Sequence, residues 1–383
     1  MPIAFARSPR STLGVEWELA LVDGTTGELV NAAPRLLPAL TERWPAQAGA
    51  PHATSELLQN TVEIVSAPHS TVRGAITDLR SLARDTLDLA DDFGLEVIGS
   101  GAHPFSRWEE QEVTAGDRYA RFIERTQWWG RNMLIWGLHV HLGVDRHERV
   151  IPLLHALLAH YPHLQALSAS SPFWRGEGTG YSSNRTLMFQ QLSTAGLPPD
   201  FGSWAEFEQV IQDLVRTGVI TEPTEARWDM RPAPHWGTIE MRACDGVATL
   251  WEAGAIAALS QCLIEHFQTR MDRGEELPRL PAWYVRENKW RAARYGLDAE
   301  VIIAPDGTQA PLRDELARLQ ELLAPVAERL GCAAEFADIG RILGRGNSTE
   351  RQLAAFAGAG SDHAALRTVV DLLTTEFRDS LAD

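Results

Sequence analysis

Cysteine is scarce in this 383-residue chain: only Cys244, Cys262 and Cys332 occur, with no C-x-x-C spacing among them. That excludes a disulfide framework and a zinc ribbon, and it fits a reducing compartment. Long apolar runs are missing as well. No stretch of about 18 apolar residues occurs, and Met1 to Arg10 hold two arginines without an apolar segment, so neither a membrane span nor a secretion signal is expected and the expected location is the cytoplasm. Positive charge is short: 35 lysines and arginines against 51 acids leave a formal net charge of −16. Nucleic acid and anionic membrane surfaces are therefore excluded as main partners, and a polyanionic small molecule needs cations in order to approach. The glycine-rich stretch Gly176 to Arg185 lacks the terminal Lys-Ser/Thr of a P-loop and the strand-before-helix setting of a dinucleotide fingerprint. It reads instead as a mobile loop presenting Tyr181, Asn184 and Arg185. No repeat, low-complexity tract or clear linker divides the chain, and a 44% hydrophobic share can fill a large core, so residues 1–383 are read as one domain.

What the chain does have is alternation. From Leu13 to Val22, Leu13, Val15, Trp17, Leu19 and Leu21 fall on one face of a strand, and Gly14, Glu16, Glu18 and Ala20 on the other. Two carboxylates then project side by side, about 7 Å apart along the backbone. On its own this fits a solvated edge strand better than a binding platform. A strand from about Asn60 to Val65 sets Glu63 opposite Val62 and Ile64, with Glu56 at a helix–strand junction as ligand or cap. A further strand puts Gly137, His139, His141 and Gly143 behind Leu138, Val140 and Leu142. In the last, Thr238, Glu240, Arg242 and Cys244 share one face, and Ile239, Met241 and Ala243 the other.

Helices are expected at about 34–42, 72–90, 152–169, 204–216, 249–270, 290–295, 312–330 and from 362 onward, with a mobile basic loop at 344–349. The arginine- and tryptophan-dense stretch 105–134 reads as a structural helix rather than a base-stacking surface, given the acidic balance. The fold expected is α+β: a mostly antiparallel sheet with helices packed behind it.

If one helical layer covers all the apolar faces, Glu16, Glu18, Glu63, His139, His141, Glu240 and Arg242 turn toward one side. Each has a plainer reading: a structural histidine, or a cross-strand Glu240–Arg242 ion pair. Together they read as a cleft for several divalent cations, since so many carboxylates repel one another without them. Oxygen ligands with an imidazole suit Mg²⁺ or Mn²⁺ better than zinc. Cations beside an arginine are what phosphoryl transfer from ATP requires. A metal-dependent hydrolase would use the same cleft, and a regulatory nucleotide-binding protein with lapsed catalysis would retain it.

Eight segments carry a family likeness: Thr12 to Glu18, Asn60 to Val65, Gly137 to Gly143, Leu167 to Trp174, Thr179 to Tyr181, Asp229 to Pro232, Gly237 to Arg242 and Glu287 to Gly296. In this order they resemble the glutamate–cysteine ligase type 2 family, in its YbdK-like carboxylate–amine ligase branch. The resemblance implies a glutamine-synthetase-like fold, whose curved sheet forms a funnel for ATP, Mg²⁺ and an amino acid, and ATP-dependent γ-glutamyl amide formation with cysteine or another amine. It implies Glu16, Glu18, Glu56, Glu63, His139 and Glu240 as metal ligands, with Arg242, Glu240 and Glu18 catalytic. It further implies Arg231, Tyr181 and Arg185 on substrate carboxylates, Lys289 and Arg291 near the nucleotide, and a homodimer. One departure is Trp17, where other members of the branch tend to have a third acid; facing the core, it should spare the metals.

Overall fold

Strict alternation fixes the register of the first strand, because a slip of one residue would bury two carboxylates and expose Trp17. The computed structural model describes residues 3–360 and 363–382. In chain order the strands are β1 (Leu13–Asp23), β2 (His52–Ser55), β3 (Thr61–Val65), β4 (Leu95–Ile98), β5 (Gly137–Gly143), β6 (Phe173–Trp174), β7 (Glu177–Gly178), β8 (Met230–Ala233), β9 (Thr238–Asp245), β10 (Glu300–Ile302) and β11 (Gln309–Pro311). The helices up to the middle of the chain are α1 (Ala33–Arg43), α2 (Val72–Asp91), α3 (Asp117–Thr126), α4 (Trp128–Arg131), α5 (Val150–Ala159), α6 (Tyr161–Ser168), α7 (Asn184–Phe189) and α8 (Trp204–Arg216). They continue with α9 (Leu250–Asp272), α10 (Ala282–Tyr295), α11 (Leu312–Leu330), α12 (Ala333–Arg345), α13 (Ser348–Ala359) and α14 (His363–Ala382).

The main sheet is seven-stranded and antiparallel, in the order β2-β3-β1-β5-β9-β8, with β4 pairing the end of β1 that β5 leaves free. This is the expected α+β architecture. Leu13, Val15, Trp17, Leu19 and Leu21 of β1 join Val62, Ile64, Leu138, Val140, Leu142, Ile239 and Met241 in one core under α2 and α9. Helix α9 is buried along most of its length and starts on a capping box between Thr249 and Glu252. Ala20, Val22, Ile98 and Trp136 pack in a second cluster with Leu366, Val369, Val370 and Leu373 of α14.

Several expectations give way. The stretch 105–134 is not one helix: α3 buries no residue, and Trp128 and Trp129 are exposed. The apolar run 152–169 divides into α5 and α6 at His160, two residues before Pro162, which sits in the first turn of α6. Residues 344–349 are not a mobile loop: Gly344 and Arg345 end α12, Ser348 and Thr349 begin α13, and Gly346, with φ +85°, and buried Asn347, which caps α13 and donates to the Ala166 carbonyl, join them. Helices α12 and α13 were not anticipated. The C-terminal helix begins at His363, and Asp362, where it was expected to start, lies outside the described residues. Glu56 follows β2, in the turn before β3, because a four-residue strand carries too little alternation to be read.

Burial of histidine away from the cleft has a pH consequence. Burial pushes His103 down to about 3 and His160 down to about 4, and it holds His163 well below the usual range, with His160 adding to the effect. Neither ring nitrogen of His163 has a hydrogen-bond partner among the described residues. Below about pH 6.5 the unfolded chain takes up protons that these folded imidazoles refuse, so each contributes a loss of stability as the pH falls toward its folded value. Buried carboxylates with raised pKa values act in the opposite sense, so the difference between two proteins is the clean readout. Relative to His163→Leu, the unaltered protein is expected to lose stability as the pH falls below about 6.5, by at most about 1.4 kcal/mol per pH unit in urea unfolding, with no drift between pH 7 and 8.

Candidate active site

Cross-strand register brings the polar faces together. Glu16 pairs with His139, Glu18 with Glu63, His141 with Glu240 and Arg231 with Glu240. Directly paired side chains leave an antiparallel sheet on the same face. The result is three adjoining groups whose ligand atoms lie within 4.8 Å of one another: Glu16, His141 and Glu240; Glu16, Glu63 and His139; Glu18, Glu56 and Glu63. Glu16 is shared by the first two groups and Glu63 by the last two, so the groups form a chain along the sheet.

Hydrogen bonds set the orientation. Glu16 meets His139 Nδ1 at 3.0 Å and His141 Nε2 at 3.2 Å, and His141 Nδ1 meets the Thr238 hydroxyl at 2.9 Å. His139 Nε2 is buried with no hydrogen-bond partner among the described residues, 3.8 Å from Glu18 Oε1. The Gly137 N–H donates to Glu18, and the Leu57 N–H donates to Glu56 at 2.9 Å. Glycine is needed at 137: an added Cβ would stand 2.2 Å from Arg185 Nη2 and 2.8 Å from His139 Nε2.

The electrostatics divide the acids into two sets. Burial and then the Glu56 charge push Glu18 up to about 7; burial with Glu56, Glu16 and Glu18 drives Glu63 well above the usual range; burial also raises Glu56. Burial acts on Glu16 and Glu240 too, but the two histidines outweigh it at Glu16 and hold it well below the carboxylate range. Arg231 and Arg242 do the same for Glu240. Burial and Arg242 lower His139 to about 4, leaving it a neutral imidazole at pH 7. Carboxylate oxygens, a neutral imidazole and an orphaned buried nitrogen aimed among them are a donor set that fits divalent cations.

Arg242 grips Glu240 through Nη1, and Arg231 Nε lies 2.6 Å from the other oxygen of that carboxylate. Arg231 is anchored in turn on the carbonyls of Thr224 and Ala226, at 2.6 and 2.9 Å. Between Leu138 and Val140 the β5–β9 register shifts, so Arg242 and Ala243 together face His139. The bulge corrects the expected parity: Cys244 sits in the apolar core, not on the polar face.

Other expectations are corrected here. Arg185 is buried in the first turn of α7 and donates to the Arg242 carbonyl at 3.2 Å, so it is not on a mobile loop. Tyr181 packs edge-on to Trp290 under the Arg294 guanidinium. Lys289 and Arg291, expected near the nucleotide, are both paired within the protein. Lys289 is on the inward face of α10, ion-paired to Asp229 at 2.6 Å, and Arg291 is on the flank of α10, held by Glu287, Gln309 and the Glu300 carbonyl. His141, set on the polar face by alternation but left out of the expected ligands, belongs to the first group of three. Its parity with His139 was the available signal.

The family model of glutamate–cysteine ligase family 2 matches residues 12–371. A Leifsonia xyli protein carrying the provisional name glutamate–cysteine ligase 2 is 54% identical over 379 residues, covering 99% of each chain. A Mycobacterium tuberculosis protein of the same provisional name is 50% identical over 375 residues, covering 98% of this chain and 97% of that one. The crystal structure of a Francisella tularensis glutamate–cysteine ligase in complex with AMP superposes with a TM-score of 0.66 at 14% identity, covering 99% of this chain and 94% of that one. A Pasteurella multocida bifunctional glutathione synthetase gives 0.65 at 15% identity, covering 95% of this chain and 52% of that one. These two share the fold. Trp17, fully buried, lies behind the sheet and away from the acids. With nearly the whole chain matched, the protein belongs to the glutamate–cysteine ligase family 2, a family of ligases.

Proposed function

We propose that the protein is an ATP-dependent carboxylate–amine ligase that joins the γ-carboxylate of glutamate to cysteine or another small amine. The observation that carries this reading is the chain of three acid and imidazole groups on one sheet face with Arg242 beside it. A carboxylate oxygen of the acid substrate attacks the γ-phosphorus of ATP and displaces ADP, giving an acyl phosphate. The amine nitrogen then attacks the acyl carbon, the C–O bond to phosphate breaks, and amide, phosphate and a proton leave. Glu16, Glu18, Glu56, Glu63, His139, His141 and Glu240 would hold Mg²⁺ or Mn²⁺, which would screen the triphosphate charge and polarise the transferred group. Arg242 donates to the oxygens that gain charge, and Arg231 and Arg185 flank it for substrate carboxylates. The protein acts as a single catalytic domain on small molecules in the cytoplasm, as a homodimer.

The test is a screen for ADP and phosphate with ATP, Mg²⁺, glutamate and a panel of amino acids and amines, with mass analysis of products. ADP is expected only when acid and amine are both present, matched one to one by an amide. Phosphate release from ATP or a phosphate ester without an amine would favour the hydrolase, and Mg-ATP binding without turnover across the panel would favour a lapsed enzyme.

A further inference from the structure

Lys289 is the only lysine in the chain; all the other members of its 35 lysines and arginines are arginine. It is also buried, at 3% exposure, where most of the arginines keep contact with solvent. Its ammonium lies 2.6 Å from Asp229 Oδ2 and 5.8 Å from the centre of the Tyr161 ring, and the Tyr161 hydroxyl donates to the same Asp229 oxygen at 3.1 Å. The site thus uses a compact ammonium point charge, where the chain's other cations are guanidinium forks.

The backbone of Asp229 is tied as firmly as its side chain. Its N–H donates to the Gly196 carbonyl at 2.8 Å, and its own carbonyl accepts the Arg242 N–H at 2.7 Å. Arg242 sits at the bulge of β9, where pairing with β5 is interrupted. Its carbonyl is held by Arg185, and its N–H by Asp229. The aim of the Arg242 guanidinium at Glu240 and His139 therefore depends on a backbone fixed from outside the β5–β9 ladder. Bulges re-aim a side chain only as well as their anchors hold.

We propose that the buried Lys289–Asp229 pair, with Tyr161, is a positioning device that sets the β9 bulge and so the aim of Arg242. Lys289 acts through Asp229 and touches no substrate. The kinetic part of this inference rests on the ligase reading; the backbone part does not.

Lys289→Met and the double variant D229N/K289M decide it, read by amide hydrogen exchange over residues 238–246 and by phosphate release. In Lys289→Met, the Arg242 amide is expected to exchange at least about tenfold faster, with flanking β9 amides unchanged. Its kcat is expected to fall at least about tenfold, with the KM for ATP within about twofold of the unaltered protein. If Lys289→Met fails to fold, the double variant, which leaves no lone buried charge, is the deciding protein, and the same pattern is expected of it. A merely structural pair predicts lower thermal stability at full kcat. Either folded variant with native Arg242 exchange, or with full kcat, overturns the proposal. If the unaltered protein turns over no acid–amine pair, the exchange experiment still decides the positioning role, and that failure counts against the ligase reading alone.

Discussion

Replacing Glu63 by glutamine is expected to stabilise the metal-free protein while removing its activity. Glu63 belongs to two of the three groups, and its carboxylate is buried against Glu16, Glu18 and Glu56. Without cations, burial and the neighbouring acids hold Glu63 above the usual carboxylate range, so the folded chain must either keep a disfavoured charge there or take up a proton, and a neutral amide of the same shape avoids both. Relief within the usual single-substitution range of about 0.5–3 kcal/mol is expected, visible as a higher Tm in chelator. Mg²⁺ or Mn²⁺ should raise the Tm of the unaltered protein by mass action and leave that of the variant nearly unmoved. Turnover should fall by about a thousandfold, about 4 kcal/mol of transition-state stabilisation. Opposite signs in stability and activity distinguish a site that concentrates like charge for a purpose from a surface that merely happens to be acidic. A variant that is destabilised, or that still responds to Mg²⁺ as before, removes Glu63 from the metal cleft.

Much of this site was legible because β1, β3, β5 and β9 each bury one face and leave the other polar. Period two then assigns every residue a side without reference to its neighbours, which is why Glu16, Glu18, Glu63, His139 and Glu240 could be grouped before any pairing was known. The method fails where the period breaks. One extra residue at the bulge moved Cys244 from the polar face to the core, and no local pattern announces a bulge. It is silent where the partner is remote. Lys289 sits in a segment that looks nucleotide-facing, yet its counterion is 60 residues away in sequence, and a helix face does not state what lies opposite it. The segment 105–134 marks a third limit: α3 buries nothing, so composition suggested a helix where packing supports only two short ones.

Arg242→Lys is expected to separate positive charge from positive geometry. Arg242 shares Glu240 with Arg231, so a lysine leaves that buried carboxylate paired from the other side and the fold intact, with thermal stability changed little. What lysine lacks is the second arm. Arg242 Nη1 meets Glu240 and approaches His139 Nδ1 at 3.5 Å, and the same planar group carries further N–H donors that a single ammonium does not have in that fixed geometry. A point charge on a flexible stem cannot hold that orientation while donating to a phosphate oxygen. Loss of one well-placed donor to developing charge costs about 10²–10³ in kcat, about 2.7–4 kcal/mol, and that is the fall expected here. In the proposed ligase reaction cations and other donors would bind ground-state ATP, so its KM should stay within about twofold, placing the loss in the transition state. The contrast with Arg231→Lys carries the argument further. Arg231 spends its second arm on the Thr224 and Ala226 carbonyls, so its loss should loosen that turn and raise the KM of a substrate more than it lowers kcat. If the two variants exchange these patterns, the arginine that meets the transferred phosphate is 231, and the bulge at 242 serves binding instead.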